Sequence, residues 1–390
     1  MTPPSTALGI IFGIVFVDLV GFGIVIPVLP LYAERFGASP LVIGMLLGVY
    51  SLMQALCAPL LGRLSDRVGR RPVLLLSVFG TAAGFLLMGL ARTLPWLFAG
   101  RIIDGATGGN ISTALAYIAD ISPPEHRSKR MGLIGAAFGL GLIVGPAIGG
   151  LLSHVSLAAP LLFAAGLSGL NALAVVGLLP ESLPAERRRQ AQEQSGLAPL
   201  LAGAPGRRLR AALATYFCTT VAFSLLTAIY PLFTQRRFGY GAAENGYIFA
   251  GQGILGAVIQ GGLLGWLLRY ATDKTLVICG TAVLTLSLFV LPLSATASAL
   301  WLATAGVAIG HGFVAAPLNG LASKGGDAAM QGRVLGLMQS AASAARIIGP
   351  VLGGWLLTCD ARGLAEVFGR TPYWVGGVIM SVACLLAFLL

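Results

Sequence analysis

Long apolar runs are the feature of this sequence that most restricts its fold. Runs of about 20 mostly apolar residues, the length needed to cross a ~30 Å hydrocarbon core, recur along the whole chain. Charge is scarce, since only 10% of the 390 residues are Asp, Glu, Lys or Arg, against roughly 25% in soluble domains. So few charges cannot make a water-facing surface, and the chain is predicted to be an integral membrane protein.

Twelve such runs predict twelve transmembrane helices, which makes the fold class all-α. Their expected bounds are 7–29, 41–61, 73–91, 96–119, 131–153, 161–179, 211–233, 244–268, 275–293, 299–319, 334–357 and 372–390. No positively charged region of the kind that begins a signal peptide precedes the first run. We therefore expect that run to remain as a membrane span.

The basic residues predict the orientation of these spans. Lys and Arg concentrate in cytoplasmic loops, and the clusters at 67–71, 127–130, 187–189 and 207–210 fall in alternate loops of this chain, the last two in the same loop. Both termini are therefore expected to be cytoplasmic. The net charge of +11 is then a signal of topology, and no nucleic-acid partner is expected. The five cysteines form no CxxC pair, so neither a disulfide framework nor a metal site is expected.

Two motifs repeat between the halves of the chain. Gly-Pro-x-x-Gly-Gly occurs at 145–150 and again at 349–354. Pro-Leu-aromatic, followed by Arg-Phe-Gly, occurs at 30–37 and again at 231–239. The repeats predict two bundles of six helices each.

The longest polar stretch separates the two bundles. We predict an N-terminal six-helix bundle over 1–179, a cytoplasmic linker over 180–210 and a C-terminal six-helix bundle over 211–390. In transporters built from such repeats, the substrate site lies near the middle of the membrane at the interface of the repeats.

Several motifs resemble those of one transporter family. Residues 62–72 read Gly-Arg-Leu-Ser-Asp-Arg-Val-Gly-Arg-Arg-Pro and resemble the signature loop of the major facilitator superfamily. Arg-Ile-Ile-Asp-Gly at 101–105 resembles the span-four motif of that family, and 141–150 resembles the span-five motif of its drug/proton antiporters. Asp18 with the prolines that follow it, and Tyr-Ile-Ala-Asp-Ile at 117–121, are similar to the tetracycline-efflux type.

This resemblance implies a secondary active transporter that exports small amphipathic compounds or drugs in exchange for protons by alternating access. The implied setting is the bacterial inner membrane, and the implied partners are a small-molecule substrate, protons and lipid, with the protein acting as a monomer and without a cofactor. Tetracycline exporters of the closest type carry further acidic residues in spans three and nine and a histidine in span eight. This sequence lacks them, so tetracycline itself is not the predicted substrate.

Three charged residues inside predicted spans are the candidates for proton coupling: Asp18, Arg101 and Asp104. Counted at 1.5 Å per residue from the ends of their spans, they lie at similar depths. An ionised side chain is unfavourable in hydrocarbon and is expected to face a cavity or a partner. We predict that the three form one ion-paired cluster. The alternatives are that Asp18 and Arg101 only brace spans one and four, and that Asp104 only neutralises Arg101.

The C-terminal half offers Arg346 and His311 at comparable depth in spans eleven and ten. An Arg at this position suggests that the substrate carries an anionic or zwitterionic group. The other possibility is that Arg346 pairs with Asp18 across the cavity. Its alternative role is bonding to backbone carbonyls near Gly349 and Pro350. His311 can titrate near neutrality, although a histidine that only packs between helices is the more common case.

Other polar or aromatic side chains in the spans are weaker candidates for contact with substrate. Such groups often only bond neighbouring helices to one another. They are Tyr50, Gln54, Asn110, Asn171, Tyr230, Gln252, Phe313, Asn319 and Gln339.

Two further groups are expected to control conformational change. The signature loop predicts a cytoplasmic latch, in which Asp66 caps a neighbouring helix and pairs with an Arg. Its residues are Gly62, Asp66, Arg67, Gly69, Arg70 and Arg71. Small residues spaced to let helices approach closely predict a packed seam or hinge. These are Gly135, Gly139, Gly141, Gly145, Pro146 and Gly149, with Gly349 and Pro350 in the second half.

Two other functions stay open at this point. One is a facilitator or flippase for an anionic metabolite or lipid, with Arg346 as the substrate anchor. The other is a membrane enzyme or sensor, although the sequence has no Walker loop, HExxH or GxSxG motif and no soluble domain to support it. No catalytic residue is predicted.

Overall fold

The computed structural model describes residues 4–183, 203–323, 328–361 and 368–390, which form helices joined by short loops, with no strand among them. The first part of the chain forms seven helices. They are α1 (Pro4–Glu34), α2 (Pro40–Val68), α3 (Arg70–Gly89), α4 (Leu94–Thr107), α5 (Asn110–Ile121), α6 (Pro124–Ser153) and α7 (Ala159–Leu178). Most of the predicted linker 180–210 lies outside the described residues, and the domain bounds stay a prediction.

Seven more helices form the second part of the chain, and the first of them begins within the predicted linker. They are α8 (Gly203–Phe238), α9 (Ala242–Val258), α10 (Leu264–Leu267), α11 (Asp273–Val290), α12 (Ala297–Ser323), α13 (Ala328–Asp360) and α14 (Arg370–Ala387). A π-helical turn, Ile259–Leu263, joins α9 to α10, so that the three form one span, Ala242–Leu267.

Eleven helical segments among the described residues are long and apolar enough to cross a membrane. They match eleven of the twelve predicted spans. The remaining predicted span, 96–119, is interrupted and consists of α4 and α5. The all-α membrane fold is therefore confirmed, with one of its expected spans divided into two short helices.

The division between α4 and α5 falls at Gly108 and Gly109. Two consecutive glycines weaken a helix because they lose more backbone entropy than other residues on folding. Other groups then bond the backbone that the break releases: the Gly109 N–H donates to Thr107 O at 2.7 Å, and Gln54 Nε2 of α2 donates to Gly108 O at 3.0 Å. The break is thus bonded within the protein, as membrane burial requires.

Glycine and proline mark several of the helix ends. Gly37, three residues after the end of α1, and Gly239, directly after α8, have φ of 77° and 70°, the left-handed conformation that ends many helices. These glycines close the two copies of the Arg-Phe-Gly motif. Proline occupies the first turn of α4, α6 and α7, where the missing N–H breaks no helical bond.

The chain packs as two compact units. The N-terminal unit comprises Met1–Ala38, Val49–Glu193 and Gly241–Ala250, and the C-terminal unit comprises Ser39–Gly48, Gln194–Tyr240 and Gly251–Leu390. The first turns of α2 therefore belong to the C-terminal unit, where the Leu41 N–H donates to Thr358 Oγ1 of α13 at 3.1 Å. Similarly, the first turns of α9 belong to the N-terminal unit and pack on α6 near Gly150.

Helices α1 and α8 are the interior helices of their units. Among the residues whose side chains are described, neither helix has an exposed large apolar side chain. Helices such as α2, α7 and α12 instead expose Leu60, Leu173 and Leu302, as lipid-facing helices do. The part-exposed faces of α1 and α8 are therefore the surfaces on which a polar site can lie.

Candidate functional site

Arg101 and Asp104 form a buried ion pair on α4. They are one helical turn apart, the spacing at which side chains meet, and Arg101 Nη1 lies 3.2 Å from Asp104 Oδ2. Their side chains are only 3% and 7% exposed. The interruption of the span begins just beyond this pair, at Gly108.

Asp18 on α1 joins this pair through two further side chains. Asn110, the first residue of α5, and Thr81 of α3 both interact with the Asp18 carboxyl group. Thr81 also interacts with the Asp104 side chain, and Asp104 interacts electrostatically with Asp18. The structure thus brings together the three charged residues predicted for proton coupling. We call Asp18, Thr81, Arg101, Asp104 and Asn110 the N-terminal cluster.

Small residues allow the helices that carry this cluster to approach closely. A Cβ at Gly84 of α3 would lie 2.9 Å from the Asp104 Cβ and 2.7 Å from the Gly100 carbonyl oxygen. A Cβ at Gly21 of α1 would lie 2.9 Å from the Phe85 ring. A larger residue at either glycine would separate the helices, so the meeting of the carboxyl groups depends on these glycines.

Tyr50 and Gln54 of α2 line one side of the N-terminal cluster. The Arg101 guanidinium carbon lies 4.2 Å from the centroid of the Tyr50 ring, a cation–π distance. Gln54 Nε2 donates to the Tyr50 hydroxyl at 3.3 Å as well as to the Gly108 carbonyl. Both residues, predicted as substrate contacts, are therefore placed where they hold Arg101 and the helix break; substrate contact by either stays a prediction.

The C-terminal unit has a different arrangement around Arg346. This residue lies on α13 and is half-buried. Its Nη2 donates to Ser343 Oγ at 3.3 Å, and its charge acts on the Tyr216 side chain of α8. Ser343 and Tyr216 are also half-buried. A guanidinium, a phenol and a hydroxyl thus lie together on a surface that is not closed by packing.

Two rings continue this surface. Phe223, two turns beyond Tyr216 on α8, stacks on His311 of α12 with ring centroids 4.2 Å apart and an interplanar angle of 27°. Both residues are half-buried. We call Tyr216, Phe223, His311, Ser343 and Arg346 the C-terminal face. Gln339, also a predicted substrate contact, is exposed two turns before Arg346 on α13.

The other predicted substrate contacts lie apart from these two sites. Tyr230 is fully buried and its hydroxyl bonds Thr304 Oγ1 at 2.9 Å. Asn171 donates to the Ile14 carbonyl at 3.0 Å and thereby joins α7 to α1. Asn319 donates to its own helix at Ala315, the Phe313 Cβ lies close to Gly280, and Gln252 Nε2 is buried. For these residues packing is the observed role, and substrate contact stays a prediction.

The signature loop is an ionic network centred on Arg70. Arg70 Nη1 lies 2.6 Å from Asp66 Oδ1 and donates to Ser65 Oγ at 2.7 Å, while Arg70 Nε lies 3.1 Å from Asp120 Oδ2. Gly69 supports the turn with a φ of 113°, which a side chain would disfavour. Gly62 accepts a bond from Ser65, and Arg67 is exposed at the end of α2.

An acid that the sequence analysis did not single out caps α3. Glu181 Oε1 accepts the Arg70 N–H at 2.8 Å, and Glu181 Oε2 accepts the Arg71 N–H at 3.1 Å. Glu181 therefore has the capping role that was predicted for Asp66. The Asp66 carboxylate instead pairs with the Arg70 side chain. Arg71 in turn donates to the Val176 carbonyl of α7. The residues after α7 are thereby tied to the signature loop.

The predicted seam glycines form two equivalent helix contacts. Gly141, Gly145 and Gly149 of α6 face α1, where a Cβ at Gly145 would lie 2.5 Å from the Val20 carbonyl oxygen. Gly349 of α13 faces α8 at Ser224 in the same way, and the Pro146 and Pro350 carbonyl oxygens lie against Gly246 and Gly44. Gly135 and Gly139 have nothing within 4 Å of a Cβ. The seam is therefore shorter than predicted.

Sequence reasoning missed Thr81, Tyr216, Phe223 and Glu181. A hydroxyl or aromatic residue in an apolar span carries no signal of its own, but Tyr216 and Phe223 are seven residues apart and so share a helix face. Among the described residues, no group of three or more His, Cys, Asp or Glu side chains could hold a metal ion.

Known proteins match this chain over nearly its whole length. The model of the major facilitator superfamily matches residues 11–350. The class C tetracycline resistance protein of Escherichia coli is 37% identical, with 95% of each chain covered. The class D protein of Salmonella ordonez is 33% identical over 96% of this chain and 95% of its own.

Solved structures agree in fold. A bacterial homologue of the human lysosomal transporter Spinster, in an inward-facing and occupied conformation, superposes with a TM-score of 0.84 at 16% identity, covering 100% of this chain and 97% of the other. The family match, the identities and this shared fold lead to one conclusion: the chain belongs to the major facilitator superfamily.

Proposed function

We propose that this protein is a proton-coupled exporter of small amphipathic compounds, and not an enzyme. It works by alternating access as a monomer in the bacterial inner membrane, with both termini in the cytoplasm. The observation that carries this proposal is the composition of the N-terminal cluster, which holds two carboxyl groups and one guanidinium. Arg101 can neutralise only one carboxylate. Binding of one proton would make the cluster neutral, and its loss would leave one uncompensated charge, so each conformation can favour a different protonation state.

The names of the relatives favour export of drug-like compounds. The two curated relatives are tetracycline resistance proteins, and a membrane transporter that confers resistance is expected to move the compound outward. This chain nevertheless has no acidic side chain in α3, and none in α11 beyond Asp273. Asp104 of α4 instead packs on Gly84 of α3. We infer that Asp104 supplies at this place the carboxyl group that α3 lacks, and that the substrate differs from tetracycline.

Transport in proteoliposomes with an imposed, acidic-inside pH gradient tests the coupling. One proton moving through the equivalent of 100 mV supplies about 2.3 kcal/mol, enough for a roughly 50-fold accumulation of substrate. A probe panel of tetracycline, ethidium and 2-naphthoate covers zwitterionic, cationic and anionic compounds. We expect at least one probe to accumulate in response to the gradient, and we expect Asp18→Asn to reduce that accumulation to simple equilibration.

The matched control is Glu34→Gln, which removes an exposed carboxyl group at the end of the same helix. It should accumulate the probe as the unaltered protein does. Gradient-driven accumulation that survives Asp18→Asn would overturn the role of Asp18. If no probe responds to the gradient but some equilibrate, the protein is a facilitator and the proposal of proton coupling fails.

A further inference from the structure

The C-terminal face has an unusual position for a set of polar side chains. Its five residues lie in the middle turns of α8, α12 and α13, yet all are half-buried. Helix α8 exposes no large apolar side chain among its described residues, so this face does not resemble a lipid-contacting surface. An Arg exposed to hydrocarbon is also strongly disfavoured. The face is therefore a part-exposed polar surface of the C-terminal unit that a bound molecule can contact.

Its chemistry is divided between two ends. Arg346 and Ser343 form the polar end, together with Tyr216. The stacked rings of Phe223 and His311 form the flat end. Tyr216 and Phe223 are seven residues apart on α8, which separates the two ends by about 10 Å. Thr220 lies between them and donates its hydroxyl to the Tyr216 carbonyl oxygen at 2.8 Å, so it presents a methyl group rather than a free donor.

Each end selects a different part of a ligand. A guanidinium matches the geometry of a carboxylate or similar oxyanion better than any other side chain does. An aromatic pair offers a flat surface on which a planar ring system can stack. In the described part of the C-terminal unit, the acids Asp273 and Asp360 lie at helix ends. A cationic ligand at this face would therefore meet the positive charge of Arg346.

We propose that the C-terminal face binds planar aromatic acids, with the acid group at Arg346 and the ring system against Phe223 and His311. This inference rests on the proposed export function and gives its substrate class. The separation of about 10 Å between the ends fits two or three fused rings bearing one acid group.

Equilibrium binding to the purified full-length protein, without any pH gradient, tests this proposal. The probes share one ring system and differ only in charge: 2-naphthoate, neutral 2-naphthamide and cationic 2-naphthylmethylammonium. We expect 2-naphthoate to bind about tenfold or more tightly than either other probe, since a hydrogen bond to a charged group contributes about 1.5–3 kcal/mol. Arg346→Gln should remove this preference and leave the affinity for 2-naphthamide nearly unchanged.

Two further variants separate recognition from folding. Arg346→Lys keeps the charge but loses the planar fork, and it should retain part of the preference for 2-naphthoate. Phe223→Leu should weaken 2-naphthoate and 2-naphthamide by a similar factor, because it removes the stacking surface that both probes use. Arg92→Gln removes an exposed Arg from the loop between α3 and α4 and should change no affinity.

The proposal is overturned if the unaltered protein binds the anion and the amide equally or binds none of the three probes. It is also overturned if Arg346→Gln keeps the anion preference. Its failure is distinguishable from failure of the export function, because this measurement uses no gradient. An anion preference without gradient-driven transport would refute only the coupling, and coupled transport of another probe without an anion preference would refute only the substrate class.

Discussion

The N-terminal cluster and the C-terminal face both place an Arg in the middle of a membrane-spanning bundle, but the two arginines have opposite surroundings. Arg101 is almost completely buried, paired with Asp104 and covered by the Tyr50 ring. Arg346 is half-buried, bonds Ser343 and lies beside aromatic side chains. A closed pair of opposite charges can change its protonation without a ligand, whereas an open Arg beside flat rings can recognise one. On this basis we propose that one unit couples protons and that the other recognises the substrate.

Removal of each Arg in turn should give the largest contrast. Arg101→Gln leaves the buried Asp104 carboxylate without its cation, and breaking a buried pair in this way destabilises a protein by about 3–5 kcal/mol. Arg346→Gln removes a part-exposed group and should change the free energy of unfolding by less than about 1 kcal/mol. Thermal unfolding of both variants in the same detergent measures the difference.

The double variant Arg101→Gln/Asp104→Asn checks the physical reason. It removes both charges of the pair and should recover much of the stability that Arg101→Gln loses. Equal destabilisation by Arg101→Gln and Arg346→Gln would remove the distinction between a closed and an open site.

The contact of α6 with α1 positions the central helix that carries Asp18, and it can be tested at two glycines of the same helix. Gly145→Ala places a Cβ 2.5 Å from the Val20 carbonyl oxygen, and such overpacking costs about 1–3 kcal/mol. Gly139→Ala meets nothing within 4 Å and should be neutral or stabilise the helix by up to about 1 kcal/mol. Unfolding in detergent compares the two, and equal effects would show that the seam is not tightly packed.

Periodicity, length and charge predicted most of the fold because they act locally along the chain. Eleven of the expected spans correspond to helices, and the pairing of Arg101 with Asp104 follows from their spacing on one helix. The interruption at Gly108 was missed because the apolar run continues across it, and the bonds that stabilise the break come partly from Gln54 of another helix. Hydropathy alone cannot detect a break that distant residues satisfy.

Much of the candidate site was beyond prediction for a similar reason. Thr81 is important only because α1 and α4 bring two carboxyl groups to its hydroxyl. Tyr216, Phe223 and Tyr230 are all aromatic residues of one apolar helix, and the sequence does not show that only Tyr230 is fully buried. Glu181 caps α3 from a position that is more than 100 residues away in sequence. Each role arises from packing between helices, which a single sequence does not encode in any local pattern.

Thr81 offers the smallest and most specific test of the contrast between the two units. A hydroxyl group has one proton to donate and two lone pairs to accept. When both carboxyl groups are ionised, Thr81 can donate to only one of them; when one is protonated, Thr81 can accept from it and donate to the other. Thr81 therefore favours the cluster with a single bound proton. Thr81→Val keeps the shape of the side chain but removes the hydroxyl that can donate or accept. We expect it to slow gradient-driven transport by about tenfold and to leave equilibrium binding of the probes unchanged.

Two matched variants complete that test. Ser77→Ala removes a buried hydroxyl one turn earlier on α3, whose oxygen has no hydrogen-bond partner among the described residues, and should leave transport unchanged. Thr81→Ser keeps the hydroxyl and should restore most of the rate. If Thr81→Val instead weakened probe binding and transport to the same extent, the hydroxyl would be acting on recognition. The N-terminal cluster would then take part in substrate binding, and the division of labour between the units would be wrong.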